Sequence, residues 1–526
     1  MTTTKMTEKT IEELLREIAE LRSEKERLEH QIEILQKTIF GSRSEKKVLK
    51  TESENDAQMS LFDEAETECK KEEIKEEVTE ETITVPEHTR KKKRGRDMIM
   101  KDLPVEEVVH KVEDRVCNKC GTEMKPIGVE FLHDELVYVP AKMYRRRHSV
   151  ETVKCPCCGK KENEDEQNEK NNKEQFRKGN APKMMIPGSF CSPELLAHII
   201  YSKYSNAVPL YRQEMEFKQK GVILSRTTMA NWIIRMSAEK AEKIYALMKE
   251  DLLKSEVIHA DETRVQVLHE KDRKAKTKSF MWVFTNPSTD QNEITLYKYS
   301  PTRHGANANE FLGEYSGYIV CDGYDGYNRV TKAIRCGCWV HARRKFIDSL
   351  PKDKALYKTS AAAKAVEYIN RLFALEREYE GKNSDGKIVG DALSSDEKMK
   401  QRKTRSKAVA DEFFEWIITV DSTSDTQLNK AIRYVINEKK YLMRFLENPN
   451  VDISNNRAEN AVRPFVIGRK NWLFSDSTKG VDASAAWYSI IYTAYQNGLN
   501  VEQYLTELFE SDTLILPYKK NKSLFA

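Results

Sequence analysis

The stretch SEVIHADETRVQVL, residues 255–268, decides the fold of this chain. Its β-branched residues and its alternation of apolar and polar side chains predict a β-strand. Two further strand-like runs follow it, SFMWVFTN (279–286) and EITLYKYS (293–300). Helical and strand-like patterns then alternate through NANEFLGEY (307–315), GYIVCDGYDGY (317–327) and IRCGCWV (334–340). Strands that first follow one another and then alternate with helices predict a mixed α/β sheet.

Acidic residues lie at the ends of two of these predicted strands. Asp261 stands at the end of the first strand, and Asp322 follows the fourth strand, before a glycine-containing turn. Sheets of α/β proteins place their functional sites at such strand ends. A third acid, Glu459, lies far along the chain in NNRAENAVRPFVIGRKNWLF (455–474), among amides and bases. Asn456 and Glu459 also have the spacing of a capping box, so a helix cap is the structural alternative for Glu459.

The three acids offer only oxygen ligands, which suit Mg²⁺ or Mn²⁺. Two such ions can activate one oxygen and stabilise the leaving oxygen in an in-line phosphoryl displacement. Because the chain contains 84 aspartates and glutamates, a set of three identifies no function by itself. Pro464 is predicted to bend or end the helix that carries Glu459, which separates the bases that follow from this acid.

The composition indicates a long, polar, multidomain protein. Its 526 residues predict roughly three or four domains. The N-terminus, MTTTKMTEKT, is polar, and no apolar run approaches the ~20 residues of a membrane span. The sequence therefore predicts a soluble cytosolic protein without a membrane segment.

A repeating apolar pattern marks the N-terminal region. Apolar residues recur in steps of three and four from Ile11 to Ile39, with Lys25 as the one polar residue in the series. This heptad seam predicts a leucine-zipper-like coiled coil over 8–46, through which the chain self-associates. The alternative is an amphipathic helix that packs on its own protein. Residues 47–100 follow as a predicted disordered linker that is first acidic and then strongly basic.

Four cysteines within residues 101–160 have the spacing of a zinc ribbon: Cys117, Cys120, Cys155 and Cys158. They form two pairs, each beside a glycine that relaxes the turn. Two such pairs supply the four sulfurs of a tetrahedral structural Zn²⁺ site. Cys157 is interpreted as a bystander, although a register in which it replaces a neighbour stays open. The ribbon is either a structural clip alone or a clip that serves a DNA-binding module.

A polar linker (161–182) separates this module from a helical region over 183–250. Gly221 interrupts the helical spacing there, and Ser225 is suited to cap the helix that follows. The pattern is typical of a helix-turn-helix, although an ordinary helical hairpin is the alternative. In the helix-turn-helix interpretation, the residues that contact DNA open the second helix: Arg226, Thr227, Thr228 and Asn231.

In the C-terminal half, a predicted helical segment is followed by residues predicted to rejoin the mixed-sheet core. Residues 347–440 lack strand patterns and are interpreted as an α-helical insertion. Residues 441–480 then form the second part of the core, and a helical region spans 481–526. The insertion accounts for the 136 residues that separate Asp322 from Glu459.

The sequence resembles the DDE transposases of the insertion-sequence-66 family over nearly its whole length. The runs that carry the resemblance are FGSRSEK, CNKCG with CPCCG, KYSNAVPLYRQE, HADET, DGYDGY, CWVHARRKF, NNRAENAVRPFVIGRKNWLF and NGLNVEQYL. The resemblance implies a ribonuclease-H-like core formed by 251–346 and 441–480, with Asp261, Asp322 and Glu459 as an acidic triad that binds Mg²⁺ or Mn²⁺. The predicted fold is thus a multidomain α/β protein: coiled coil, zinc ribbon, helix-turn-helix-like region, ribonuclease-H-like mixed-sheet core with an α-helical insertion, and helical C-terminus.

The resemblance also implies a function, that of a bacterial transposase acting in the cytoplasm at the nucleoid. Such a protein binds the terminal inverted repeats of an insertion sequence, cleaves their 3′ ends and joins them to target DNA, with accessory proteins of the same element as further partners. The predicted phosphate contacts are Arg343, Arg344, Arg463, Arg469 and Lys470. His341 is interpreted as a structural or substrate-positioning residue, and Glu262 is not taken as a ligand. The alternative is a catalytically inactive, oligomeric DNA-binding regulator derived from a transposase.

Overall fold

The computed structural model describes residues 143–154, 183–351, 360–383, 386–420 and 426–518, together with the backbone of 176–178. The predicted coiled coil and the four predicted zinc-ribbon cysteines lie outside these residues. The chain divides into two compact units, one of which spans Ser42–Pro182. In that unit, β1 (Thr152–Lys154) pairs antiparallel with β2 (Phe176–Lys178). Within the described ranges, no helix combines the length and the apolarity needed to cross a bilayer.

The other unit contains a six-stranded mixed sheet, which confirms the predicted mixed α/β class. Its strands are β3 (Val257–His269), β4 (Lys278–Thr285), β5 (Thr295–Ser300), β6 (Tyr318–Cys321), β7 (Ile334–Gly337) and β8 (Ser475–Ser477). The strand order is β5–β4–β3–β6–β7. The β3–β4 and β4–β5 pairs are antiparallel, whereas β6 is parallel to β3 and β7 is parallel to β6. The short β8 pairs in parallel with the far end of β3.

The two neighbours of the central strand β3 pair with different parts of it. β4 pairs with residues 259–266 of β3, but β6 pairs only with 257–259. Asp261 therefore lies inside β3, which corrects the prediction that it ends a strand. On the β6 side it lies just beyond the paired segment. Since Asp322 directly follows β6, continuing the parallel register brings Asp261 and Asp322 level with each other on adjacent strands.

Helices cover both faces of the sheet, as is usual where parallel strands are buried. In the described part of the chain they are α1 (Pro193–Tyr204), α2 (Leu210–Gln219), α3 (Arg226–Met236), α4 (Glu242–Leu252), α5 (Ala306–Leu312), α6 (Trp339–Asp348), α7 (Ala361–Tyr379), α8 (Ser395–Gln401), α9 (Lys407–Ile417), α10 (Gln427–Leu442), α11 (Asn456–Trp472), α12 (Thr478–Gln496) and α13 (Val501–Glu510). Ile258 and Ile319 belong to one hydrophobic core, together with residues of α1 to α4 and of α11 to α13. Their neighbours Val257 and Val320 join a second core with α6, α7, α9 and α10.

The turn between α2 and α3 forms as its residues predict. Gly221 has a φ of 81°, a left-handed conformation that glycine adopts without steric cost. Ser225 precedes α3, and its hydroxyl accepts a hydrogen bond from the Thr228 N–H at 3.1 Å. The predicted break and the predicted cap are both confirmed. Helices α2 and α3 are joined by a short turn, which fits both a helix-turn-helix and an ordinary helical hairpin.

The fully buried side chain of Arg402 links the helices that lie between α6 and α11. Arg402 donates to both carboxylate oxygens of Glu376 on α7, at 2.9 and 2.6 Å. It also donates to the backbone carbonyls of Phe445 and Asn448, at 2.8 and 2.7 Å. These bonds offset the cost of removing a charge pair from water. The helical segment is thereby fixed to the chain that leads into α11.

The two ends of this helical segment are bonded to each other. The Trp339 N–H donates to the Ile453 carbonyl at 2.9 Å, and the Asn455 N–H donates to Cys338 Sγ at 3.1 Å. We call this contact between residues 338–339 and 453–455 the neck. It fixes the start of α11 relative to the start of α6.

Candidate active site

The three predicted acids come together at the edge between β3 and β6. Asp261 on β3 and Asp322 after β6 lie level with each other, and Glu459 lies in the first turn of α11, which packs on β3 and β4. Burial and the charge of Glu262 raise the pKa of Asp261 well above its usual range, and the charges of Asp322 and Glu459 raise it further. Acids separated by 60 and 136 residues therefore act on one another electrostatically.

Backbone amides orient the two aspartates. Asp261 Oδ1 accepts a hydrogen bond from the Glu262 N–H at 2.8 Å. Asp322 Oδ1 accepts one from the Tyr324 N–H at 2.9 Å, inside the glycine-containing turn. Because a backbone donor holds one oxygen of each carboxylate, the side chains have a fixed direction before any ligand arrives.

Helix α11 begins differently from the prediction. The N-cap is Asn455 and not Asn456, and its side chain makes no capping bond. Asn455 is fully buried, and its Nδ2 donates to the Ala260 carbonyl of β3 at 2.8 Å. Its backbone N–H donates a hydrogen bond to Cys338 Sγ in the neck. The capping-box prediction is therefore wrong, and the carboxylate of Glu459 is left for other partners.

Pro464 is predicted to bend or end this helix. It does not end it, because α11 continues to Trp472, and the bend stays a prediction. A proline inside a helix removes one backbone donor and crowds the preceding turn, at a cost of about 3 kcal/mol. Ala461 and Phe465 are buried on either side of the proline. Tertiary packing of this face against β3 and β4 offsets the local cost.

Two side chains from α6 face the carboxylate of Glu459. His341 Nδ1 lies 3.7 Å from its Oε1, and Arg344 Nη2 lies 3.4 Å from its Oε2. Among the described residues, neither His341 Nδ1 nor Glu459 Oε1 has a hydrogen-bond partner, although both atoms are buried. Burial lowers the pKa of His341, and the charge of Glu459 opposes that shift.

The arrangement fits a hard divalent ion. The repulsion among the clustered acids and the unsatisfied Oε1 of Glu459 are both relieved by a cation that binds oxygen. Asp261, Asp322 and Glu459 supply only oxygen, as Mg²⁺ and Mn²⁺ prefer. The residues present therefore suit the metal that the sequence resemblance implies.

A fourth carboxylate, that of Glu262, lies beside these acids. Its partners are Arg303 and Tyr327, which no sequence pattern indicates. Glu262 has a side chain only 1% exposed, and it accepts hydrogen bonds from Arg303 Nε at 2.6 Å and Tyr327 Oη at 2.7 Å. The Arg303 guanidinium also stacks on the Tyr324 ring at 4.0 Å and lies 4.0 Å from Asp322 Oδ2. Burial and the charge of Asp322 raise the pKa of Glu262, and Arg303 opposes this shift. Arg303 lies in a loop after β5 that no local pattern marks.

Removing Arg303 is expected to destabilise the protein through Glu262. Arg303→Met leaves a buried carboxylate with one fewer charged donor, whereas adding Glu262→Gln removes the charge together with its partner. A double-mutant cycle in urea unfolding should give a coupling free energy of about 0.5–3 kcal/mol. Strictly additive effects would show that this ion pair does not stabilise the strand.

The predicted DNA-contacting residues fall into two groups. The exposed group consists of Arg226, Thr227, Asn231, Arg344, Arg463 and Lys470. The others are less exposed. Thr228 is half-buried, Arg343 Nε donates to Asn370 at 2.7 Å, and Arg469 donates to Thr263 Oγ1 at 3.2 Å. Arg469 thus ties α11 to β3, while the exposed group lies where a ligand can reach it.

Comparison with known proteins identifies the family. A family model described as "Transposase IS66 family" matches residues 188–483, more than half of the chain. The chain belongs to this family. Two related models match farther towards the N-terminus, "zinc-finger binding domain of transposase IS66" at 114–159 and "Transposase C of IS166 homeodomain" at 27–108. The family that the sequence motifs predict is therefore confirmed, and the zinc-finger match covers all four predicted zinc-ribbon cysteines.

Relatives of this IS66-family chain align along most of its length. Uncharacterized protein y4qI of Sinorhizobium fredii is 28% identical over 499 residues, which are 90% of this chain and 84% of the relative. Uncharacterized protein y4jD of the same bacterium is 25% identical over 520 residues, 95% of this chain and 92% of the relative. The alignments extend the likeness to most of the chain, but the printed names of these relatives state no activity.

Proposed function

We propose that this chain is a DDE transposase that binds the terminal inverted repeats of an insertion sequence, cleaves their 3′ ends and transfers them to target DNA. The observation that carries the proposal is the convergence of Asp261, Asp322 and Glu459 in a chain of the IS66 family. The sheet supports a ribonuclease-H-like core. The first strand of this sheet, β3, is central. Strands β3, β4 and β5 pair antiparallel, and β6 and β7 run parallel to β3.

Each part of the site has a role in this proposal. Asp261, Asp322 and Glu459 would hold Mg²⁺ or Mn²⁺, which when bound activates the attacking oxygen and stabilises the leaving oxygen. The strands orient the two aspartates, and the neck orients the start of the helix that carries Glu459. Arg344 is exposed beside Glu459 and available to bind a DNA phosphate. His341 faces Glu459 on the other oxygen and acts as a positioning residue.

The family matches support proposals for the N-terminal region. Cys117, Cys120, Cys155 and Cys158 would hold one structural Zn²⁺ within the matched zinc-finger segment. The predicted coiled coil would join two or more chains, so that both ends of the element are held in one complex. Accessory proteins of the element are further candidate partners.

Helices α2 and α3 are proposed to form a helix-turn-helix that contributes to recognition of the element ends. Replacing Arg226 and Asn231 with alanine should weaken end binding by about 1–3 kcal/mol, because both side chains are exposed on the first turns of α3. Fluorescence anisotropy with labelled end DNA measures the loss. Arg235→Ala is the matched control, since Arg235 lies in the last turn of α3 and pairs with Glu239. Equal losses in both variants would reject this helix as the specific reader.

The proposed activity is tested with purified full chain, DNA that carries the element ends, target DNA and Mg²⁺. A transposase produces 3′-hydroxyl ends and joins them to the target. A regulator derived from a transposase binds the same ends and yields neither product, which would reject the proposal.

A further inference from the structure

A second set of ligand atoms surrounds Glu459 and differs in chemistry from the aspartates. Cys338 Sγ, a ring nitrogen of His341 and a carboxylate oxygen of Glu459 all lie within 4.8 Å of one another. Sulfur and imidazole nitrogen are ligands that Zn²⁺ prefers and that Mg²⁺ avoids. The two sets share Glu459 but suit different metals.

The local structure explains why these atoms meet. Cys338 is the N-cap of α6, and His341 lies in its first turn, so the Cys-x-x-His spacing brings both side chains to one end of the helix. Glu459 lies in the first turn of α11. The Asn455 N–H bond to Cys338 Sγ holds the beginnings of the two helices together. The cluster is therefore built on helices and not on mobile loops.

The spacing between His341 and Glu459 is longer than a hydrogen bond. The other histidine–carboxylate pairs in the described part of the chain lie 2.8 Å (His198–Glu502), 3.3 Å (His259–Asp452) and 3.4 Å (His269–Asp476) apart. His341 Nδ1 and Glu459 Oε1 lie 3.7 Å apart, both buried, and within the described part of the chain neither atom forms a hydrogen bond. Two ligands of one zinc ion, each bonded at about 2.0–2.2 Å, are separated by a distance of this order.

We propose that Cys338, His341 and Glu459 form a binding site for a thiophilic divalent cation of the Zn²⁺ class, and that its occupation inhibits the reaction that needs Glu459. Three protein ligands leave a fourth tetrahedral position for water. A cation held there withdraws Glu459 from Asp261 and Asp322, so a hard ion loses one of its three acids. The inhibitory part rests on the proposed transposase function, whereas the binding part does not.

Cobalt binding to the full chain tests the site directly. One molar equivalent of Zn²⁺ is first added, which the four predicted zinc-finger cysteines take up as the tighter site. Co²⁺ is then added, because a Co²⁺–thiolate bond gives a charge-transfer absorption band. Wild-type protein should bind one additional Co²⁺ and show this band. Cys338→Ser should lose the band, while the control Cys336→Ser should keep it, since Cys336 is buried in the same segment but lies outside the cluster. The same band in Cys338→Ser and wild type would overturn the proposal.

A second variant guards against misfolding of the cysteine mutant. His341→Asn keeps the sulfur and should weaken Co²⁺ binding at least about 10-fold. Zn²⁺ should also raise the thermal unfolding midpoint of wild type more than that of His341→Asn. Unchanged cobalt affinity in this variant would count against the site.

The inhibitory part has its own measurement. Zn²⁺ should reduce end cleavage by wild type in Mg²⁺, and His341→Asn, compared with its own zinc-free rate, should need at least about 10-fold more Zn²⁺. Equal inhibition of both proteins would overturn this part. If neither protein cleaves DNA, the proposed transposase function and the inhibition both fail, and the cobalt spectra still decide whether the site exists.

Discussion

Asp322→Asn should abolish end cleavage and strand transfer while leaving binding to the element ends intact. The substitution keeps the size of the side chain and its acceptor oxygen for the Tyr324 N–H, but it removes one of three clustered negative charges. Losing one electrostatic group of a preorganised site reduces rates by at least about 10²–10³-fold. Gel analysis of cleaved and joined products measures the rate, and fluorescence anisotropy measures binding.

The turn that contains Asp322 also offers a matched control. Asp325 lies three residues farther on and is exposed. Asp325→Asn removes the same charge from the same turn and should leave cleavage within about 2-fold of wild type, as expected for a surface position. If the Asp322→Asn and Asp325→Asn variants joined DNA at the same rate, the assignment of the acidic triad would be wrong.

Arg402→Met should destabilise the helical segment between α6 and α11 by about 3–5 kcal/mol. The variant leaves Glu376 buried, with its carboxylate deprived of both Arg402 hydrogen bonds, and it leaves the carbonyls of Phe445 and Asn448 without this donor. Hydrogen exchange should rise across α7, α9 and α10. Urea unfolding of the full chain measures the loss in free energy.

Arg405→Met is the control for that experiment. Arg405 lies one turn from Arg402 and makes a similar two-pronged pair with Glu378, at 2.7 and 2.9 Å. The side chains of Arg405 and Glu378 are both about half exposed, so water screens the interaction. The expected loss is about 0–1 kcal/mol. Similar losses for the two arginines would mean that burial does not set the strength of the Arg402 network.

Local patterns predict most of the elements but not how far they pair. The β-branched runs mark the strands, and Gly221 with Ser225 marks the break before α3, because these effects act within a few residues. The interior position of Asp261 does not follow from any local pattern, since it depends on where β6 stops pairing with β3. The continuation of α11 through Pro464 likewise depends on tertiary burial that outweighs a local cost.

The site was predictable only in part, for a related reason. Strand position singled out Asp322, and motifs shared with a family selected Glu459 from among 84 acids. The Glu262–Arg303 pair depends on two distant loops packing closely, so that a Cβ on Gly305 would collide with the Gly326 carbonyl. No periodicity encodes such an approach. The bond from Asn455 to Cys338 is equally invisible in the sequence.

Because of the neck, the position of the Glu459 carboxylate does not depend on the length of the inserted chain that precedes it. Once the bonds of residues 338–339 to 453–455 have formed, extra residues in the exposed loop between Asp391 and Ala392 add only to a segment whose ends are already fixed. Each doubling of a flexible loop costs only about 0.6 kcal/mol in closure entropy. This loop can therefore accept a fluorescent reporter domain, and the same tolerance gives evolution a place to vary the chain without moving Glu459.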